Sequence, residues 1–199
     1  PAVSCGLETL AIRIPSHVGC QEFLRYLDLP VAAPSANVSK HTSPVTAEHV
    51  FNDLNGKIDL ILDGGKCSGG IESTVLDVTT DTPVILRSGL VTREMIKSVV
   101  GKCEYGDSKP TDKVRSPGVK YRHYCPKCET ALFKRDELDK AAALYREYAA
   151  AGKKPYYMCD EKLAAALIKN GENFLNLGRT GTEVASNLYY KLLEGEKVA

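Results

Sequence analysis

Short apolar runs typical of β-strands alternate with capped helical patterns along most of this 199-residue chain. Runs rich in strand-forming residues predict strands, and a Thr or Asp before an apolar helical pattern predicts a helix start. The alternation predicts an α/β fold. The predicted strands cover residues 9–14, 31–33, 58–62, 71–78, 83–86, 130–133, 155–158 and 174–177; a helix is predicted over 19–29, and further helices start at Thr46, Thr92, Asp136, Asp160 and Thr182.

A stretch rich in proline, glycine and basic residues interrupts this alternation at residues 102–128. It holds seven lysines and arginines against three acidic residues, which is typical of a linker. We therefore expect one domain over 1–101 and a second over 129–199. The strand–helix repeat of the second predicts a small parallel sheet with right-handed crossovers. It has no Gly-x-Gly-x-x-Gly element, so no dinucleotide site is assigned there.

The segment 30–44, PVAAPSANVSKHTSP, follows one of the predicted strands. Pro34 cannot donate a ladder hydrogen bond, so we expect the strand to end there. Ser35, Asn37 and Ser43 then place hydroxyls, an amide and backbone N–H groups in one loop. Such a loop at the end of a strand can bind an anionic ligand, although the same residues also suit an ordinary capped loop.

Composition and charge exclude some function classes. The formal net charge is +1, which gives no overall case for a nucleic-acid or membrane partner. No apolar run approaches the roughly 20 residues that cross a bilayer, and no secretory signal is visible. Seven cysteines at irregular spacing argue against a disulfide framework and favour a reducing cytosol. The chain begins without Met, inside a strand-like pattern, so we expect it to be a fragment of a longer polypeptide.

The pair Cys125 and Cys128 forms a CxxC element. A structural zinc site needs about four ligands, and Cys103 and His123 are irregularly placed as the other two. A redox CxxC follows a strand and opens a helix, whereas this one follows the linker. We interpret the spacing as coincidence.

Several hydroxyl and basic side chains remain as candidates for chemistry. No G-x-S-x-G element surrounds Ser35, Ser43 or Ser73, so hydrogen-bonding roles are expected for them rather than nucleophilic ones. Glu72 suits a general base, a cap or a surface position. Arg13 and Arg87, with the basic linker, suit a polyphosphate or a carboxylate. Together these residue types favour an anion-binding cleft.

Four segments occur in a fixed order: PVAAPSANVSKHTSPVTAEHV, IDLILDGGKCSGGIESTVLD, PVILRSGLVTREMI and SPGVKYRHYCP. Together they resemble the threonylcarbamoyl-AMP synthase family, which is YrdC-like, in its long form with an added C-terminal domain. The resemblance covers residues 9–126. It implies an incomplete YrdC-like twisted-sheet domain over 1–101, the linker, and a truncated Rossmann-like domain over 129–199. In that family the position of Cys125 usually holds a small apolar residue.

The resemblance implies an enzyme that converts L-threonine, bicarbonate or CO2, and ATP into threonylcarbamoyl-adenylate and pyrophosphate. Mg2+ is implied on the ATP phosphates, with no protein side chain assigned to it. The product would pass to a tRNA-modifying transferase for the N6-threonylcarbamoyl group of adenosine 37, in the cytoplasm. Catalysis would consist of positioning and charge neutralisation, with no covalent enzyme intermediate.

The resemblance also implies roles for individual residues. Arg13, Ala33 and Ser73 fall at positions that line the L-threonine pocket, with the Arg13 guanidinium suited to a carboxylate. Arg13, Ser35 and Arg87 would do the positioning. The linker would fold over the cleft as a gate made of Tyr121, Arg122, His123 and Tyr124. The implied ATP-binding residues are Thr9, Ser35, Asn37, Ser43, Arg87, His123 and Tyr124.

The family's early Lys-x-Arg region would precede residue 1, so we expect little or no synthase activity from the 199 residues alone. Two alternatives are left open. One is a nucleotide- or RNA-binding YrdC-like module without synthase activity, and the other is a related carbamoyltransferase domain. The linker and the strand–helix repeat after it argue against the carbamoyltransferase.

Overall fold

The computed structural model describes residues 4, 6, 8–106 and 126–198. The predicted gate residues 121–124 and Cys125 lie outside these ranges. The described helices are α1 Val18–Leu27, α2 Ala47–Leu54, α3 Arg93–Val100, α4 Leu138–Ala150, α5 Glu161–Leu167 and α6 Gly181–Val198. The described strands are β1 Val75–Asp77, β2 Val84–Arg87, β3 Glu104–Tyr105, β4 Tyr157–Cys159 and β5 Phe174–Asn176.

The first sheet has the order β1–β2–β3. β1 and β2 are antiparallel, and β2 pairs in parallel with β3 after the α3 crossover. The core beside this sheet contains Ile85, Ile96 and Cys103, with Leu76 packed against it. The register shifts between Val75 and Leu76, so Val75 lies opposite Arg87 at the end of β2. This irregularity places Arg87 next to the segment that precedes β1.

The second sheet contains β4 and β5, which are parallel and joined through α5. Asp160 begins α5, and its carboxylate accepts a hydrogen bond from the Leu163 N–H at 2.8 Å. The mixed fold of parallel pairs and interleaved helices confirms the predicted α/β class. The predicted domain boundaries at 101 and 128 stay predictions.

The predicted helix starts are correct where a capping side chain accepts a hydrogen bond from a backbone N–H of the first turn. Thr46, Thr92 and Asp160 each cap the predicted helix in this way. Two other predicted caps were wrong. α4 has Glu137 at its N-cap without a side-chain cap bond, in place of Asp136. Before α6, the Thr180 hydroxyl rather than that of Thr182 accepts from the Glu183 N–H at 3.2 Å.

Four predicted strands, over residues 9–14, 31–33, 58–62 and 130–133, are not strands in the structure. Alternating apolar residues make a strand only where a neighbour completes the ladder hydrogen bonds, and these segments pair with no strand in the described ranges. Most of their apolar side chains accordingly remain exposed. Ile12 is 81% exposed and Leu132 is 99% exposed.

Helix α6 packs on the segment before β1 and on α2. The Tyr189 N–H donates to the Gly70 carbonyl at 3.1 Å, and the Ser186 hydroxyl donates to the Ser68 carbonyl at 3.0 Å. Lys197 pairs with Glu48 of α2 at 3.0 Å. These bonds tie α6 to residues 68–70, just before β1, and to α2. No helix within the described ranges combines the length and apolarity that a membrane crossing requires.

Candidate functional site

Four side chains from separate parts of the first domain meet in what we call the Glu72 cluster: Ser43, Glu72, Ser73 and Arg87. The Ser43 hydroxyl donates to Glu72 Oε1 at 2.6 Å. Arg87 Nη2 lies 3.4 Å from Glu72 Oε2. The same guanidinium donates to the Ser73 carbonyl, from Nη2 at 2.9 Å and from Nε at 3.2 Å. The cluster therefore combines one cation, one carboxylate and two hydroxyls.

Close backbone packing holds the Glu72–Thr74 segment in place. A Cβ on Gly89 would lie 2.5 Å from the Ser73 carbonyl carbon, so only glycine allows this approach. The Thr74 hydroxyl donates to the Val91 carbonyl at 2.6 Å and accepts from the Val91 N–H at 3.1 Å. Thr74 thus pins two loops together, a structural role that leaves Glu72 and Ser73 beside Arg87.

The loop that carries Ser43 is held by α2. Asp53 accepts a hydrogen bond from the Val38 N–H at 3.1 Å, and one of its oxygens lies 3.0 Å from His41 Nδ1. Asn37 donates from Nδ2 to the carbonyls of Val38 and His41. Asn37 therefore orders the loop internally, as expected for a residue that shapes a binding loop.

Burial affects the ionisation of two groups in α2. Burial raises the pKa of Asp53, but the hydrogen bonds from His41 and Val38 lower it more, and the net shift is downward. Burial lowers the pKa of His49, and the Lys197 ammonium lowers it further. Asp53 is therefore held as a carboxylate and His49 as a neutral imidazole. His49 packs against the Tyr190 ring of α6, with 5.5 Å between ring centroids.

Buried oxygen atoms near the cluster have unmet hydrogen-bonding capacity. Thr42 is 1% exposed, and its hydroxyl has no partner in the structure. The Asn37 side-chain oxygen is likewise buried without a partner. Both lie on the loop that leads to Ser43, which is where a bound ligand or water would supply the missing bonds.

The structure does not bring every predicted site residue to the cluster. Thr9, Arg13, Ala33 and Ser35 are exposed, and their segments are neither helix nor strand. None of the hydrogen bonds and ion pairs found between described residues connects these four positions to Glu72. Their predicted roles stay predictions, as do those of the gate residues outside the described ranges.

The cluster does not fit a protein-bound metal. Mg2+ prefers an octahedral set of oxygen ligands, usually one or two carboxylates together with substrate phosphates and waters. Glu72 is the one carboxylate of the cluster, and both of its oxygens are engaged by Ser43 and Arg87. Across residues 8–106 and 126–198, no group of three or more His, Cys, Asp or Glu side chains could hold a metal.

Raised thiol pKa values at Cys128 and Cys159 disfavour the nucleophilic thiolate form. Burial raises the pKa of the Cys128 thiol. Burial and the Asp160 carboxylate raise the pKa of Cys159 to about 11. A cavity of about 1000 Å³ lies among α4, β4 and the C-terminal half of α6, and its lining includes no residue of the Glu72 cluster. Neither feature adds reactive groups to the cluster.

Comparison with known proteins resolves the family. A model described as "Threonylcarbamoyl-AMP synthase, C-terminal domain" matches residues 91–199, and one described as "Telomere recombination" matches residues 1–89. The chain belongs to the threonylcarbamoyl-AMP synthase family. The predicted family is thereby confirmed, and the residues of the Glu72 cluster lie within the first matched region.

Similar members of this family come from distant organisms. The threonylcarbamoyl-AMP synthases of Bacillus subtilis and Schizosaccharomyces pombe are 39% and 38% identical to the chain, over 95% and 96% of its length. The matches cover 55% and 51% of those two proteins, so the chain spans about half the length of the curated relatives it matches. These names favour a synthase over a carbamoyltransferase.

Solved structures show the same fold. The crystal structure of P. abyssi Sua5 complexed with L-threonine superposes with a TM-score of 0.83 at 35% identity, covering 98% of this chain and 57% of that one. A variant of P. abyssi Sua5, in which an adjacent His and Tyr are replaced by Ala, superposes with a TM-score of 0.80 at 33% identity; this match covers 96% of the chain and 56% of the variant.

Sequence reasoning missed the central position of Glu72. Glu72 was interpreted as a base, a cap or a surface residue, because its partners lie 29 and 15 residues away in the chain. The signal that pointed to this segment was its neighbourhood. Glu72 lies two residues after the pair Gly69-Gly70, within the segment that resembles the family. The resemblance implies a binding role for the neighbouring Ser73, not for Glu72.

Proposed function

We propose that this chain forms part of an L-threonylcarbamoyladenylate synthase, which makes threonylcarbamoyl-AMP and pyrophosphate from L-threonine, bicarbonate or CO2, and ATP. Family membership together with the Glu72 cluster carries the proposal. The synthases of B. subtilis and S. pombe bear this name, and P. abyssi Sua5 has been crystallised with L-threonine. The product serves the N6-threonylcarbamoyl modification of tRNA in the cytoplasm.

The reaction needs positioning more than reactive side chains. The ammonium of L-threonine first loses a proton; the amine nitrogen then bonds to the carbon of CO2 and loses a second proton, which gives a carbamate. A carbamate oxygen then bonds to the α-phosphorus of ATP as the bond to pyrophosphate breaks. Negative charge builds on the phosphate oxygens during this displacement, and fixed cations stabilise it. Arg87 is such a cation, because its guanidinium is anchored on the Ser73 carbonyl and on Glu72.

Two groups of residues divide the substrates in this proposal. Arg13, Ala33 and Ser73 bind L-threonine, with the Arg13 guanidinium on its carboxylate and the Ala33 carbonyl accepting from its ammonium. Thr9, Ser35, Asn37, Ser43 and Arg87 bind ATP. Arg13, which is exposed, and Arg87, which lies in the cluster, then hold the two substrates for attack. With ATP bound, Mg2+ would neutralise part of the charge on the phosphates, and no protein side chain is assigned to hold it.

The linker completes the site. Tyr121, Arg122, His123 and Tyr124 form a gate that excludes water from the carbamate and the mixed anhydride, both of which hydrolyse readily. The chain has one adjacent His–Tyr pair, His123 and Tyr124. An adjacent His–Tyr pair is also what was replaced in the P. abyssi Sua5 variant, which supports a role for this dipeptide.

The test is pyrophosphate release by the full-length protein with and without L-threonine. We expect release to depend on L-threonine, and Arg13→Ala to reduce it strongly. Arg25→Ala is the matched control, because Arg25 is an exposed arginine in the last turn of α1. We expect the 199 residues alone to release little or no pyrophosphate. ATP consumption that is independent of L-threonine would overturn the proposal.

A further inference from the structure

The Glu72 cluster contains a carboxylate for which the proposed reaction has no direct use. A carboxylate beside a polyphosphate site opposes substrate binding through charge repulsion, unless it performs another task. Glu72 keeps only 20% of its side-chain surface exposed, and the Arg87 side chain keeps 12%. The question is what an acid does among residues that suit a nucleotide.

Glu72 is the link between two segments that are otherwise distant in the chain. One of its oxygens accepts from Ser43, 29 residues earlier, and the other lies next to Arg87, 15 residues later. Ser43 is itself buried. The carboxylate therefore sets the distance and the angle between the loop that carries Ser43 and the end of β2.

The hydrogen bond to Glu72 also decides whether the Ser43 hydroxyl donates to a ligand or accepts from it. A serine hydroxyl has one hydrogen to donate and two lone pairs that accept. At 2.6 Å the Ser43 hydrogen is committed to Glu72, so the hydroxyl offers a ligand only an acceptor. A hydrogen bond to a carboxylate is among the stronger hydrogen bonds in proteins. A residue at position 72 without a side-chain acceptor would leave the Ser43 hydroxyl free to rotate.

The backbone supports the same arrangement. Gly89 packs directly on the Ser73 backbone, and Gly70 is bonded to the Tyr189 N–H of α6. The residues on both sides of Glu72 are thus held by close backbone contacts. A side chain on such a support can hold its partners within the tolerance that catalysis requires.

We propose that Glu72 is a positioning residue: its carboxylate holds Ser43 and Arg87 in a fixed relation before the nucleotide binds. The inference rests on the proposed function, because it assigns Ser43 and Arg87 to the nucleotide. Glu72 itself touches no substrate in this proposal. Its effect on the reaction passes through Ser43 and Arg87.

The experiment uses the full-length protein and measures kcat and KM for ATP and for L-threonine by pyrophosphate release. Glu72→Gln keeps the volume and one oxygen but removes the charge that pairs with Arg87. Loss of a charged hydrogen-bonding partner is worth roughly a tenfold to hundredfold change, so we expect kcat/KM for ATP to fall by about that factor. Glu72→Asp keeps the charge on a shorter side chain and should recover part of the loss.

A double-mutant cycle separates positioning from a general structural effect. Glu72→Gln removes the charge beside Arg87, so the cycle pairs it with Arg87→Ala. If Glu72 acts by holding Arg87, the double variant should cost little more than the larger single change. A defect that merely loosens the fold would add to the effect of Arg87→Ala. Glu104→Gln is the matched control. Glu104 is an exposed glutamate on β3, and it pairs with Val84 at the start of β2, whereas Arg87 lies at the other end of that strand.

The outcomes distinguish this inference from the proposed function. A parent protein without L-threonine-dependent pyrophosphate release refutes both. With an active parent, a Glu72→Gln variant within twofold of the parent in kcat/KM for ATP refutes the role of Glu72 alone. Additive effects of Glu72→Gln and Arg87→Ala also refute it. Thermal unfolding checks that each variant is folded, and should Glu72→Gln not fold, the cycle is run with Glu72→Asp.

Discussion

Gly70→Ala tests how tightly α6 is seated on the first domain. A Cβ at this position would lie 2.7 Å from the Ala185 carbonyl oxygen and closer still to the Ser186 carbonyl. Ordinary van der Waals contact begins near 3.4 Å, so the two backbones would have to separate by at least about 0.7 Å. Both neighbours are backbone atoms of a helix, and neither can rotate away as a side chain could.

The cost has two parts. Overpacking of this kind destabilises by about 1–3 kcal/mol, and loss of the Tyr189 hydrogen bond to the Gly70 carbonyl adds about 1 kcal/mol. We therefore expect Gly70→Ala to destabilise the contact between α6 and the first domain by about 2–4 kcal/mol. Urea unfolding followed by circular dichroism should show an earlier midpoint, and hydrogen exchange at the Tyr189 amide should become faster.

Gly69→Ala is the matched control. The three atoms nearest to the Cβ that it adds all belong to the side chain of Leu90, which is 44% exposed and can change rotamer. We expect this variant to unfold close to the parent. If Gly70→Ala shares the midpoint of Gly69→Ala, and its Tyr189 amide exchanges as slowly as in the parent, the reasoning about close backbone packing is refuted.

Three further predictions concern individual side chains. Burial and Lys197 lower the pKa of His49 in the folded chain, so the contribution of His49 to stability is fully present above about pH 6.5 and is lost as the pH falls below that value. His49→Gln should therefore flatten the pH dependence of the free energy of unfolding in urea between pH 7 and 5. An unchanged slope would contradict this. Asp53→Ala removes the acceptor of the Val38 N–H and the partner of His41, and should cost about 1–3 kcal/mol in urea unfolding, whereas a midpoint equal to that of the parent would contradict the role of Asp53. The pKa of Cys159 is raised to about 11, so iodoacetamide at pH 8 should modify the exposed Cys67 well before Cys159, as peptide mass spectrometry can follow, and equal rates would count against this.

The sequence predicted local features better than pairing. Caps such as Thr46, Thr92 and Asp160 depend on one side chain and the N–H groups of the next turn, so a short segment contains all the information. A strand depends on a partner that the local sequence does not contain. The alternating segment 9–14 is therefore no strand, although its composition is that of one.

The same division applies to the candidate site. The resemblance selected Ser43, Ser73 and Arg87, and the structure brings these three together through hydrogen bonds and an ion pair. The residue that joins them, Glu72, has no local pattern that marks it as a link. Its role follows only from distances between segments that folding brings together.

The short segment from Gly70 to Glu72 connects helix α6 with the Glu72 cluster. Gly70 and Glu72 lie two residues apart, with Gly70 bonded to α6 and Glu72 bonded to Ser43. A shift of the Gly70 backbone by at least about 0.7 Å would pass along so short a segment, and Glu72 would then lose its optimal distance to Ser43. The packing of α6 and the geometry of the Glu72 cluster are therefore physically coupled. Gly70→Ala should consequently lower kcat/KM for ATP in the full-length protein, and Gly69→Ala should not; equal values in both variants would show that the cluster is insulated from α6.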